Sequence, residues 1–144
     1  MFIMTIQKRM LLKILFLIVG IFVVNLLAMK FHWYSIVWWF DMPMHALGGL
    51  WVSLATLFIY KYRSTTAEDI SYPRKIFFIS LMSVFVVGLL WEVFEFGIEK
   101  IGVVDLANPI DSLSDLCFDL VGGIIGTSYF IHRYERVIKS IDKV

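Results

Sequence analysis

Acidic side chains and one histidine recur at helical spacing in three otherwise apolar stretches of the chain. In chain order they are Asp41 and His45; Glu92, Glu95 and Glu99; and Asp111, Asp115 and Asp119. An ionisable residue at the centre of a transmembrane helix costs about 2.5–3.5 kcal/mol on insertion scales, and such residues usually have a function. Because three separate segments carry them, the sequence predicts that they meet in one polar site.

Closely spaced carboxylates cannot all stay ionised where the dielectric constant is low. Either several of them hold protons or a bound cation neutralises them. Oxygen ligands with one imidazole suit a divalent ion such as Mg, Mn, Zn or Fe. The predicted metal ligands are His45, Glu92, Asp115 and Asp119, with Asp41 and Asp111 as further candidates, and Glu95 is the predicted catalytic base.

Helical geometry places each cluster on one face of its segment. At about 100° per residue, Asp41 and His45 lie about 40° apart, and each of the two other clusters falls within about 80°. Gly122 and Gly126 continue the face of the third cluster, and a glycine pair at residues 48–49 lies beside His45. Small residues let helices approach closely in lipid, so we expect these faces to point into a helix bundle.

Some of these residues have a simpler structural interpretation. Asp41 stands two residues before a proline and fits a helix N-cap. Asp111 or Ser112 fits the N-cap of the last helix, with Asp115 completing a capping-box-like pattern. Glu99 is expected near the membrane surface, where solvent stabilises its charge. The remaining acids and His45 have no such alternative, and no Lys or Arg lies in their spans to neutralise them.

The composition indicates the architecture that must position these residues. The 144 residues are 60% hydrophobic and 17% charged, which is typical of a membrane protein with several spans. Four stretches are long enough to cross a bilayer, at approximately residues 11–29, 42–60, 76–98 and 112–131. The first has a long apolar core with no A-x-A-like cleavage site before Lys30, which favours a retained anchor over a signal peptide. We therefore predict a single transmembrane domain over residues 1–144, an all-α bundle of four helices.

Lysine and arginine predict the orientation. Eleven of the 13 basic residues flank the spans on one side, and only Lys30 and Lys100 lie on the other. The positive-inside rule therefore predicts cytoplasmic N- and C-termini for a multi-pass protein of the cytoplasmic (inner) membrane. All three acidic clusters then face the extracytoplasmic side, together with Asp105 from a loop. No basic stripe of the kind that binds nucleic acid is present, and membrane lipids are the expected partners.

The order and spacing of these residues resemble a known family. The pattern D41-x3-H45-x2-G48, then E92-x2-E95, then D111-x3-D115-x3-D119-x2-GG resembles the YjdF-type inner-membrane proteins and, more distantly, the VanZ-like family, named for a teicoplanin-resistance protein. The chain differs from the VanZ-like pattern at Glu95, where an amide is usual, and at Asp119, where Asn is common. The resemblance implies a shared membrane fold and polar site rather than a particular reaction.

Two functions of different classes remain open on the sequence. The first is a metal-dependent hydrolase or transferase that acts on a lipid-linked phosphate or another envelope substrate at the outer leaflet. The second is a proton- or cation-responsive transport or binding protein, including a VanZ-like role in antibiotic tolerance. A purely structural subunit is a weaker hypothesis, because polar contacts add only about 0.6 kcal/mol on average to helix association in lipid.

Overall fold

The computed structural model describes residues 2–63, 73–100 and 109–141, with side chains for residues 8–61, 73–97 and 111–133. Every regular element in these ranges is helical. The helices are α1 (Phe2–Lys30), α2 (Trp33–Ile36), α3 (Asp41–Arg63), α4 (Pro73–Lys100) and α5 (Pro109–Ile141). The prediction of an all-α protein is therefore confirmed.

Four of these helices are long and apolar enough to span a membrane. The candidate spans are Lys8–Lys30, Asp41–Lys61, Pro73–Gly97 and Asp111–Arg133. They confirm the predicted four-helix membrane fold, and each predicted span agrees with the corresponding candidate span to within three residues at either end. The orientation of the termini and the assignment of the whole chain to one domain stay predictions.

Glycines bring α3 and α5 together almost backbone to backbone. A Cβ atom added to Gly49 would lie 2.8 Å from the Cα atom of Asp119, and one added to Gly122 would lie 2.8 Å from the backbone nitrogen of Leu50. The backbones of α3 and α5 cannot shift locally to make room for a side chain at Gly49 or Gly122. Only glycine fits at these contacts, which is how small residues support helix packing in lipid.

An apolar core joins α1 to α3, α4 and α5 near the end of α3 and the start of α4, and we call this part of the bundle the apolar end. Its buried side chains are Ile14, Leu54, Leu57, Ile76 and Phe130. The indole nitrogen of Trp51 on α3 donates a hydrogen bond to the backbone oxygen of Ile14 on α1, at 3.1 Å. The first span is thus fixed against α3 by apolar packing and one side-chain hydrogen bond.

A short aromatic turn connects α1 to α3. His32 has a left-handed backbone with φ of 57°, which reverses the chain before the single turn of α2. The rings of Trp33 and Tyr34 both pack edge-on against Phe40, with centroid separations of 5.4 and 5.2 Å. The Tyr34 hydroxyl donates a hydrogen bond of 2.6 Å to the side-chain oxygen of Asn25. This turn therefore holds the start of α3 against the end of α1.

Candidate cation-binding site

Three helices bring acidic side chains around one buried imidazole. We call this group the His45 cluster, and its members are Asp41, His45, Glu92, Glu95, Asp115 and Asp119. His45, Asp115 and Asp119 are only 4–7% exposed, whereas Asp41, Glu92 and Glu95 are partly accessible. The cluster lies where α3 and α5 begin and α4 ends, so it occupies one end of the bundle.

The two edges of the imidazole ring face different carboxylates. The Nε2 atom of His45 lies 3.6 Å from Asp41 Oδ1 and 4.0 Å from Asp115 Oδ2. The Nδ1 atom lies 3.4 Å from Asp119 Oδ2. Asp41 is one turn before His45 on α3, and Asp115 and Asp119 are one turn apart on α5. Spacings of four residues therefore place carboxylates on both sides of the ring.

Two overlapping sets of side chains have the separation that a metal site requires. One oxygen or nitrogen atom each from Asp41, His45 and Asp115 lie within 4.8 Å of one another, and the same holds for His45, Glu92 and Glu95. Ligand atoms bound to one ion at 2.0–2.6 Å are separated by distances of about this size. His45 belongs to both sets, and it is the one residue in them that offers a nitrogen.

Two carboxylate oxygens in the cluster are buried without a partner. Asp115 Oδ1 and Glu92 Oε1 have no hydrogen bond to any described residue. Burial of an unsatisfied polar atom costs about 1–3 kcal/mol on mutational scales, and more if it is charged. The sequence from residue 41 to 60, from 76 to 99 and from 111 to 132 contains no Lys or Arg. Within these spans, positive charge at the cluster can therefore come only from His45, from protons or from a bound cation.

Comparison with known proteins agrees with this membrane architecture. The family described as "Predicted membrane protein (DUF2238)" matches residues 1–136. The chain belongs to this family. No curated protein and no solved structure matches the chain. The family description specifies a membrane protein and no activity.

The structure brings together most of the residues that the sequence selected. The four predicted ligands and the predicted base lie in the His45 cluster, and so does Asp41, whose carboxylate faces His45 from the first turn of α3. Asp111 is exposed and belongs to neither set. The capping interpretation of Asp111 and Ser112 does not fit, because α5 already begins at Pro109. Asp105 and the side chain of Glu99 lie outside the described residues.

Two residues of the site were missed by the sequence reasoning. Gly88 on α4 lies against the Asp119 carboxylate, since a Cβ atom there would be 2.7 Å from Oδ2. It stands one turn before Glu92, and that spacing could have identified it. Tyr34 lies near the cluster, where burial and then the charges of Asp41 and Glu95 raise its pKa to about 12. No spacing in the sequence links Tyr34 to the cluster.

Proposed function

We propose that this protein binds a divalent cation at the His45 cluster and uses it to hydrolyse or transfer a phosphate group of a lipid-linked envelope substrate. The observation that carries the proposal is the pair of buried, unpartnered oxygens, Asp115 Oδ1 and Glu92 Oε1, on opposite helices beside His45. A cation supplies both the missing contact and the missing positive charge.

The first set of side chains offers ligands from two helices. His45 contributes a nitrogen from α3, and Asp41 and Asp115 contribute oxygens from α3 and α5. Glu92, from α4, belongs to the second set, which shares His45 with the first, and we propose it as a fourth ligand. One imidazole among carboxylates favours Mn, Fe or Zn over an ion such as Ca, which prefers oxygen ligands alone.

Glu95 is suited to accept a proton beside such an ion. It shares a set with His45 and Glu92 but is partly accessible, so a water molecule and a substrate can reach it. A cation held by the cluster would polarise the phosphate, and in the proposed hydrolysis Glu95 takes a proton from the attacking water. The water oxygen bonds to phosphorus, the bond to the leaving oxygen breaks with its electron pair, and the leaving oxygen takes up a proton.

The position of the cluster supports a membrane-bound substrate. The cluster lies at the ends of three candidate membrane spans, where a headgroup would lie if its chain remained in the bilayer. The distribution of basic residues predicts that this end faces outward. The family match is consistent with the YjdF-type resemblance. The comparisons give no support to the VanZ-like resemblance, so antibiotic tolerance is not part of the proposal.

The test is metal binding by the purified protein in detergent. After treatment with a chelator, the protein is loaded with Mn, Fe, Zn or Mg, and the bound metal is measured by elemental analysis and titration. We expect one of these ions to bind with defined stoichiometry. Asp115→Asn should weaken binding about 100-fold or more, since even outer-shell substitutions cost 10–100-fold. Asp111→Asn is the matched control on the same helix and should bind as the parent protein does.

Two results would contradict the proposal at different levels. If no divalent ion binds above background, or if Asp115→Asn binds like the parent, the His45 cluster is not a cation site. If a cation binds but no phosphate is released from lipid-linked phosphates, and Glu95→Gln changes nothing, the enzymatic part is wrong. Cation-dependent or proton-dependent flux in liposomes would then favour the transport function, since buried acids also form proton relays.

A further inference from the structure

We infer that Asp119 is a positioning residue of the cation site rather than one of its ligands. Its carboxylate accepts the Nδ1–H of His45, so that Nε2 is the nitrogen directed at the cation. This inference rests on the proposed function and changes the role that the sequence predicted for Asp119.

The geometry of the ring assigns its two nitrogens to different tasks. Nδ1 faces Asp119 Oδ2 at 3.4 Å, which is long for a hydrogen bond but the shortest contact that the ring makes with a carboxylate of the cluster. Nε2 faces Asp41 and Asp115, which form the first set with His45, whereas Asp119 belongs to neither set. A metal-binding histidine usually donates its other N–H to a carboxylate, which fixes both the tautomer and the ring orientation.

Asp119 is itself held between two glycines. On the α3 side, a Cβ atom at Gly49 would collide with the backbone of Asp119, including its carbonyl carbon at 2.7 Å. On the α4 side, a Cβ atom at Gly88 would lie 2.7 Å from Oδ2, the oxygen that faces Nδ1 of His45. The backbone of Asp119 is packed directly against α3, whereas its carboxylate can rotate about the side-chain bonds. Gly88 is therefore the residue whose missing side chain leaves Oδ2 in place.

Gly88→Ala can displace this carboxylate without changing any ionisable group. The added methyl group also lies 2.9 Å from Leu116 Cδ1, the end of a flexible side chain that can give way. Gly97→Ala on the same helix is the matched control, because its Cβ atom meets nothing within 4 Å. The intrinsic gain of alanine over glycine in a helix, about 1 kcal/mol, is common to both variants.

The first measurement is ¹⁵N NMR of the imidazoles in protein labelled at histidine. The chain has three histidines, and the spectrum of His45→Gln assigns the signals of His45. In the metal-free protein, at a pH high enough for the imidazole to be neutral, we expect His45 to be the Nδ1–H tautomer, and on addition of Zn²⁺ or Cd²⁺ we expect only Nε2 to shift as a metal-bound nitrogen. Asp119→Ala should give a mixture of tautomers, and Asp119→Asn, which keeps an oxygen acceptor, should retain the Nδ1–H form.

The second measurement is the affinity for Zn²⁺. We expect Gly88→Ala and Asp119→Ala to weaken it 10–100-fold, Asp119→Asn to weaken it less than Asp119→Ala, and Gly97→Ala to change it less than about threefold. Unfolding by denaturant is followed in parallel. If Gly88 had only a structural role, Gly88→Ala would lower the free energy of unfolding and leave the tautomer of His45 unchanged.

The outcomes separate this inference from the proposed function. If Zn²⁺ binds but Nδ1 is the metal-bound nitrogen, or if Gly88→Ala binds like Gly97→Ala, the positioning role is wrong while the cation site stands. If no metal binds the parent protein, the proposed function fails and the inference fails with it. An Nε2–H tautomer in the metal-free protein would overturn the contact between Asp119 and His45 directly.

Discussion

The two ends of the helix bundle differ in whether their buried polar groups have hydrogen-bond partners. At the apolar end, the hydroxyls of Ser80 and Thr127 share a buried hydrogen bond of 2.7 Å, and Thr127 also donates to the backbone oxygen of Gly123. At the His45 cluster, oxygens of Asp115 and Glu92 are buried with no partner among the described residues. The same helices, α3, α4 and α5, form both ends. Packing of these helices therefore does not require unsatisfied carboxylates.

The free energy lost by burying unsatisfied carboxylates indicates that the His45 cluster has a function. Hydroxyl groups and glycines allow helices to pack in lipid without burying a charge. Each polar contact between such helices contributes only about 0.6 kcal/mol on average to their association. A buried carboxylate loses several kcal/mol of solvation when it is ionised and has no counter-charge. Sites that break the rules of stable packing are usually functional sites. The contrast between the two ends suggests four experiments.

The largest expected effect is an all-or-none difference in labelling, which tests whether the two ends face opposite sides of the membrane. Single cysteines are introduced into a Cys117→Ser background. Cysteine at Ser35 or Asn108 should react with an impermeant thiol reagent in intact cells, whereas cysteine at Thr66 should react only after lysis. The distribution of Lys and Arg is the reason for this expectation.

Inside and outside can be distinguished within one preparation, because the lysed sample reports full labelling of every site. If Thr66→Cys is labelled in intact cells and Ser35→Cys is not, the orientation is inverted. The His45 cluster would then face the cytoplasm, and an envelope substrate could not be its ligand.

The second prediction concerns the contact that both ends share, the close approach of α3 and α5. Gly49→Ala should lower the free energy of unfolding by about 3 kcal/mol, because its Cβ atom meets the backbone of Asp119 and neither helix can yield locally. Gly20→Ala, whose Cβ atom meets nothing within 4 Å, is the control and should be neutral or slightly stabilising. Equal stability of the two variants, measured by denaturation in detergent, would rule out the close approach.

The third prediction is that loss of a polar group has opposite effects at the two ends. In metal-free protein, Thr127→Val should lower the free energy of unfolding by about 1 kcal/mol, because Ser80 loses its partner. Asp115→Asn should leave this free energy unchanged or raise it, because it removes one of three carboxylates that share a single imidazole and repel one another without a cation. Thermal unfolding with and without chelator measures both changes. Destabilisation by Asp115→Asn without metal would make Asp115 a structural residue.

The sequence was sufficient to predict the helices and the faces that meet. Hydropathy windows of about 20 residues locate the four spans because the bilayer itself sets that length. The three- and four-residue spacings place His45, Asp115 and Asp119 on faces that pack together, because side chains one turn apart share a helix face.

The internal geometry of the cluster could not be read from these spacings. Asp111 shares the face of Asp115, yet it is exposed, because a helical face does not say how far the packed region extends along the helix. The contact of Gly88 with Asp119, and the choice of Asp119 rather than Asp115 for Nδ1 of His45, depend on helix crossings and rotamers. Neither quantity is encoded in the period of one segment.

The smallest expected effect is the coupling energy of the hydrogen bond between Ser80 and Thr127 at the apolar end. A double-mutant cycle of Ser80→Ala with Thr127→Val should give a coupling energy of about 0.6 kcal/mol, the average for hydrogen bonds between membrane helices. Ser83 lies on the same helix as Ser80, but its hydroxyl donates to the backbone oxygen of Ile79 on α4 itself. The control cycle of Ser83→Ala with Thr127→Val should therefore be additive. A coupling of several kcal/mol between Ser80 and Thr127 would show that hydroxyls contribute far more to this bundle than membrane helices usually gain from them. The apolar end would then contain a strongly stabilising polar network. Its difference from the His45 cluster would no longer indicate a function for that cluster.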